Sequence, residues 1–270
     1  MIDRRRLLQG VAAAAALSAC PAPAQTQIEL KPELGQFFHE ANTQGTFAAL
    51  DLKTDRLVMT DETRTRRGEL PASTFKVPHA LIALETGVVA DVDNEVIRWD
   101  GITRSIPEWN GDHTLRSAMK YSVVPVFQQI ARRIGEERMK KYVDDFQYGN
   151  RDIGGAPIDR FWLEGNLRIT PLDQIRFFRR LYEDDLPVSA RSLDLVKDIV
   201  PVEQADGATI HAKTGAVGRD GKLILGWLAG YAVKGQDVTV FAMNMDLHSG
   251  KDLALRMPAV KSALGKIGAI

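Results

Sequence analysis

A serine hydroxyl becomes a nucleophile when a base stands beside it, and Ser73-Thr74-Phe75-Lys76 supplies both partners in one short segment. Residues at i and i+3 share a helical face, with Cβ atoms roughly 5–6 Å apart, so the Ser73 hydroxyl and the Lys76 amine can meet. A lysine serves as a base only where its surroundings lower its pKa, and the neighbours Ala72, Phe75 and Val77 are apolar. The spacing alone says little, because roughly one S-x-x-K arises by chance in a chain of this size and ordinary composition. Read plainly, it is a serine near a helix N-terminus followed by a solvated lysine. Lys213-Thr214-Gly215 lies in the strand-like run Thr209 to Val217. Its chance expectation is roughly 0.06, so coincidence does not readily supply both motifs in this order.

S-x-x-K and K-T-G, together with S-D-N, mark class A β-lactamases and penicillin-binding proteins. Here Ser122-Val123-Val124, an S-x-V within Tyr121 to Phe127, stands where S-D-N is expected. Tyr148-Gly149-Asn150 and Phe161-Trp162-Leu163-Glu164-Gly165 follow. As a set these motifs resemble the class D, or oxacillinase-type, serine β-lactamases, from about Phe47 to Met245 and on to the C-terminal helix.

That resemblance implies a nucleophile at Ser73 and a Lys76 that carries an N-linked carboxyl group, formed from CO2 and acting as general base. The apolar residues Val124, Phe127, Trp162 and Leu163 are candidates to desolvate Lys76, and a lysine held neutral can take up CO2. Trp162, whose indole N–H is a donor only, is the expected anchor of the carboxyl group. Without the family it reads as a core aromatic beside a helix. Ser122 would pass a proton to the leaving nitrogen with Lys213 close by, and its plain reading is a cap before the helix at Pro125. The Ser73 N–H at a helix start can stabilise an oxyanion, and the resemblance places the second donor at the N–H of Ala216. Lys213, Thr214 and Arg256 would hold a substrate carboxylate. Gly215, lacking a Cβ, would let a substrate amide lie along the strand. Val124, Phe127 and Leu163 complete the expected substrate wall.

Tyr148-Gly149-Asn150 reads as a turn that shapes the site. Glu164 is acidic, but the order of its neighbours does not match the loop that carries the class A base. His39, His79, His113, His211 and His248 show neither metal-ligand spacing nor a carboxylate partner pattern, so no metal is expected and a Ser-His-Asp triad is the lesser alternative. The only small-molecule requirement expected is CO2 or bicarbonate for Lys76.

The chain has 270 residues, 44% hydrophobic and 26% charged, enough to bury a sizeable core. Lys+Arg and Asp+Glu are both 35. Without residues 1–19, which hold Asp3, Arg4, Arg5 and Arg6, 32 basic residues face 34 acidic ones, a balance of −2. Such a balance gives no footprint for nucleic acid and favours a small-molecule partner. Arg4-Arg5-Arg6 followed by the apolar Leu7 to Ala16 has the form of an export signal, too short to span a membrane. Leu17-Ser18-Ala19-Cys20 resembles a lipobox that ends on the only cysteine, against which stands cleavage after Ala24. The expectation is a periplasmic lipoprotein that touches the membrane only through lipidated Cys20. Sec and twin-arginine export remain open, and so do monomer and dimer.

Residues 20–31 are expected to be a tether and residues 32–270 one catalytic domain, with a helical lobe at about 90–200. Gly45 to Leu52 and Arg56 to Met59 read as a hairpin, and the nucleophile helix as Ser73 to Leu84. Helices are expected over Leu115–Lys120, Pro125–Arg133, Glu136–Phe146, Pro171–Leu181 and Ala190–Val200. Strands return at His211–Val217, Leu223–Val233 and Val238–Met245, and a last helix runs from about Lys251 to Leu264. The fold class is α+β: a mostly antiparallel sheet flanked by helices, with an inserted helical lobe. The expected function is hydrolysis of β-lactams through an acyl-serine. The alternatives are a sensor that stays acylated and a cell-wall transpeptidase or carboxypeptidase.

Overall fold

The computed structural model describes residues 26–270; the expected signal segment and the expected lipid anchor at Cys20 lie outside them. The chain opens with β1 (Gln27–Leu30), α1 (Gln36–Glu40), the hairpin of β2 (Gly45–Asp51) and β3 (Arg56–Met59), and the short α2 (Glu62–Thr65). A 3-10 turn, Ala72–Phe75, leads into α3 (Lys76–Glu85). Helices α4 (Leu115–Lys120), α5 (Val124–Ile134), α6 (Glu136–Asp145), α7 (Phe161–Glu164), α8 (Pro171–Tyr182) and α9 (Ala190–Ile199) follow. The chain then returns to strands, β4 (Val202–Ala205), β5 (Ala208–Arg219), β6 (Lys222–Lys234) and β7 (Asp237–Asp246), and closes with α10 (Arg256–Lys266).

The seven strands form one sheet in the order β1-β3-β2-β7-β6-β5-β4. Strands from the two ends of the chain meet where β2 pairs antiparallel with β7, Ala48 opposite Ala242. Successive side chains of a strand point to opposite faces, and β2 shows the consequence. Ala48 and Leu50 join the core beneath the helical lobe, while Phe47 and Ala49 join a second core under α10 and α1. Helix α8 lies across the first face against β2, β6 and β7. Its start is fixed by a capping box between Thr170 and Asp173 with a proline in the first turn.

The sheet, the antiparallel pairings and the helical lobe agree with the expected fold class. Four local features differ. Gln27–Leu30 is not tether but an edge strand, paired in parallel with β3 from Gln27↔Arg56 to Leu30↔Met59. Ile28 and Leu30 remain 57% and 59% exposed, so the backbone ladder holds β1 and burial adds little. The serine stands in the 3-10 turn ahead of α3, not inside the α-helix. The last helix likewise begins as a 3-10 segment, Gly250–Leu255, before α10. Strand β4, short and largely exposed, has no apolar alternation to announce it.

Candidate active site

The serine-bearing turn is held from three sides. Trp227 Nε1 donates to Leu70 O at 3.0 Å, Thr74 Oγ1 to Pro71 O at 2.7 Å, and Gln174 Nε2 of α8 to Thr74 Oγ1 at 2.7 Å. Within this frame Ala72 is forced to φ +46°, a left-handed conformation that costs a non-glycine residue about 1–3 kcal/mol. Tyr148 supports the turn from behind, its ring 5.4 Å from Phe75. The turn after Tyr148 needs glycine, because a Cβ on Gly149 would stand 2.0 Å from Arg168 O. Asn150 accepts from Arg168 N at 2.9 Å and donates to Asn166 O at 2.9 Å, so this motif is structural, as expected.

Lys76 is 0% exposed, and its Nζ is hydrogen-bonded to Ser73 Oγ at 2.7 Å. Its Nζ also lies 5.3 Å from the Phe127 ring centre. Burial holds the Lys76 pKa well below the usual lysine value, and the charge of Lys213 adds to the effect. Both effects favour the neutral amine over the ammonium form. Trp162 is fully buried, and its Nε1 has no hydrogen-bond partner among the described residues. Glu164 is exposed and paired with Arg160 at 2.7 Å, away from any role as base.

Ser122 sits between α4 and α5 at φ +54°, a second strained position beside a hydroxyl. It does not cap α5, whose cap residue is Val123. Its Oγ accepts instead from Lys213 Nζ at 3.0 Å. Burial, and after it the nearby charge of Arg256, lower the Lys213 pKa to about 7, which suits a group that exchanges protons with a hydroxyl at neutral pH. Arg256, the first residue of α10, donates from Nη1 to Gly215 O and from Nε to Leu253 O, both at 2.8 Å. Burial lowers its pKa to about 10, so it stays a cation.

These groups open onto a cleft of about 330 Å³. Ser73, Ser122, Val124, Leu163, Thr214, Gly215, Ala216 and Arg256 line it, joined by Ile106, Trp109, Tyr121, Leu223 and Leu253. One wall is the outer edge of β5. Its pairing with β4 stops at Val202↔His211, so residues 213–217 have no strand neighbour on that side among the described residues.

Two assignments need correction. Phe127 is no part of the substrate wall: it is 0% exposed and packs behind Lys76 and against His79, 5.3 Å between ring centres. Gly215 does line the cleft through its backbone, but its missing side chain makes room for protein. A Cβ there would lie 3.1 Å from Pro71 O, 3.1 Å from Trp227 Cβ and 3.2 Å from Thr74 Cγ2, inside the seat of the serine turn. Gly215→Ala is therefore expected to cost about 1–3 kcal/mol by overpacking. Displacing Ser73 with its turn should lower kcat by about tenfold to 100-fold. Thermal unfolding and steady-state kinetics check both, and a variant with wild-type values on each would contradict this seat.

Sequence reasoning missed the apolar wall of Ile106, Trp109 and Tyr121, because it is made by a short 3-10 turn and the end of α4, neither long enough to show a periodicity. It also passed over His79, although His79 repeats the i+3 spacing that joins Ser73 to Lys76. Among the described residues no cluster of His, Cys, Asp or Glu could hold a metal ion.

The family model for the penicillin binding protein transpeptidase domain matches residues 45–265, which gives the class that this sheet, lobe and cleft define. The particular branch follows from individual relatives. β-Lactamase OXA-48 of Klebsiella pneumoniae is 44% identical over 227 residues, 84% of each chain. A class D β-lactamase from Nostoc matches in structure with a TM-score of 0.83 at 39% identity, covering 88% of this chain and 99% of that one. FUS-1 (OXA-85), a class D β-lactamase from Fusobacterium nucleatum subsp. polymorphum, matches with a TM-score of 0.84 at 33% identity, covering 90% and 100%. The chain belongs to the class D β-lactamases.

Proposed function

We propose that this enzyme hydrolyses β-lactams through an acyl intermediate on Ser73, with Lys76, in N-carboxylated form, as general base for both half-reactions. The observation that carries this reading is a fully buried lysine on the serine hydroxyl, its pKa lowered by burial and by the charge of Lys213, with an indole N–H in the same core that has no partner among the described residues. A buried donor without an acceptor costs about 1–3 kcal/mol, and a carboxyl group on Lys76 would supply one to Trp162. When the neutral Nζ bonds the carbon of CO2 and loses one proton to solvent, the side chain becomes an anionic base.

The remaining roles follow from position. Ser73 Oγ bonds the lactam carbonyl carbon and gives its proton to the base. The carbonyl oxygen takes the negative charge opposite the N–H groups of Ser73 and Ala216. As the C–N bond breaks, Ser122 protonates the nitrogen and Lys213, hydrogen-bonded to it, replaces that proton. Once the base has released the Ser73 proton to solvent, it takes a proton from water, whose oxygen bonds the ester carbonyl carbon. The bond to Ser73 Oγ then breaks and the base returns that proton to the serine. Thr214 and Arg256 line the cleft and offer hydroxyl and cationic contacts to an anionic substrate, with the buried Lys213 behind Ser122 adding charge. Ile106, Trp109 and Leu253 offer apolar contacts.

Steady turnover of a chromogenic cephalosporin tests this function, because a sensor or transpeptidase would show one equivalent of product and then stall. Bicarbonate tests the base. Burial lowers the Lys76 pKa, so the neutral amine that takes up CO2 is favoured above that lowered value and is lost as pH falls through it. Enzyme acidified in CO2-depleted buffer is expected to lose activity by about 10²–10⁴-fold, the range of general-base catalysis, and to regain it with bicarbonate. A rate indifferent to bicarbonate at every pH would point to an unmodified lysine as base.

A further inference from the structure

His79 lies one helical turn beyond Lys76 on α3, so the two side chains share a helical face. The imidazole is 0% exposed and caged by three rings, with centre distances of 5.6 Å to Phe75, 5.3 Å to Phe127 and 5.2 Å to Trp162. Phe127 is also the ring that Lys76 Nζ approaches. Neither His79 Nδ1 nor His79 Nε2 has a hydrogen-bond partner among the described residues, and Trp162 Nε1, on the ring packed against His79, has none either. A neutral imidazole always presents one N–H and one acceptor nitrogen, so this cage leaves donors from two residues unused beside the lysine. Buried polar groups are nearly always satisfied, and two such residues at one place point to an occupant. Burial keeps His79 neutral, its pKa lowered to about 3, and Lys76 adds to that effect.

We propose that His79 is a positioning residue for the base: its ring N–H donates a hydrogen bond, directly or through one buried water, to the carboxyl group carried by Lys76. This inference rests on the carboxylated-lysine reading of the site. A carboxylate offers about four acceptor positions. Trp162 and the Ser73 hydroxyl use two of them, and His79 fills a third while restraining rotation of the group. A histidine that served only as packing would be replaceable by phenylalanine without effect.

The test is carbon-13 NMR of the intact protein titrated with [13C]bicarbonate. His79→Phe keeps the ring and loses both nitrogens, and it is expected to need about tenfold or more bicarbonate for half-carboxylation. His79→Gln, which retains a donor, should fall between that variant and wild type. A second measurement needs no variant: in wild type labelled with 15N-histidine, the His79 ring nitrogens should shift as the carbamate signal grows. An unchanged bicarbonate midpoint in a folded His79→Phe, or His79 nitrogens that stay fixed while the carbamate forms, overturns this inference alone. Absence of any carbamate signal in wild type overturns it together with the proposed base.

Discussion

Ser73→Ala is expected to lower kcat/KM for a β-lactam by at least about 10⁴-fold, with the folded state retained. The hydroxyl lost is the atom that would bond the carbonyl carbon, and among the described residues no other serine shares its geometry. Ser122 pairs with Lys213, while Ser73 alone pairs with Lys76. Structure should survive because the turn is held by Leu70, Pro71 and Gln174 contacts that the Ser73 side chain does not make. Steady-state kinetics together with thermal unfolding give the result. Activity within tenfold of wild type in a folded Ser73→Ala would remove the nucleophile from the account.

Lys76→Ala is expected to separate the two half-reactions. A positioned general base is worth about 10²–10⁴ in rate, and the attacking water depends on it wholly once acylation is complete. Ser73, in the turn ahead of α3, keeps its backbone N–H and a slow path to acylation, so acyl-enzyme should accumulate. Deacylation should then be slower by about 10²–10⁴-fold, and bicarbonate should not restore it, since no amine remains to be carboxylated. Folding should not suffer greatly, because losing a fully desolvated amine offsets part of the cavity left beside Phe127. Stopped-flow acylation and recovery of free enzyme give the two rates. Deacylation that remains fast in Lys76→Ala would assign the base to another group.

Much of this site was legible before any coordinates, and the reason is local geometry. Ser73 and Lys76 lie on one short segment, so their spacing nearly determines their meeting. Lys213, Thr214 and Gly215 lie on one strand, and antiparallel pairing could be expected from the short turns around them. The pairing of Ser122 with Lys213, 91 residues apart, came only through resemblance, because no local pattern couples a turn to a distant strand. Gly215 was misjudged for the same reason. Which face of β5 its absent side chain serves depends on the serine turn packed against that strand, and no spacing within the chain reveals it. Phe127 and Leu163 read alike as apolar, yet one backs the lysine and the other faces the cleft. Strand β1 was invisible because its apolar residues are not buried, and a sequence pattern reports burial better than it reports backbone pairing.

The central claim is that one serine carries the acyl group and that the lysine beside it controls its release. Time-resolved mass spectrometry with peptide mapping, after a brief pulse of penicillin, addresses it directly. In wild type the account predicts one transient adduct on the peptide that contains Ser73, gone within the turnover time. In Lys76→Ala the same adduct should persist. An adduct on any other residue, or one cleared equally fast in both proteins, would contradict it.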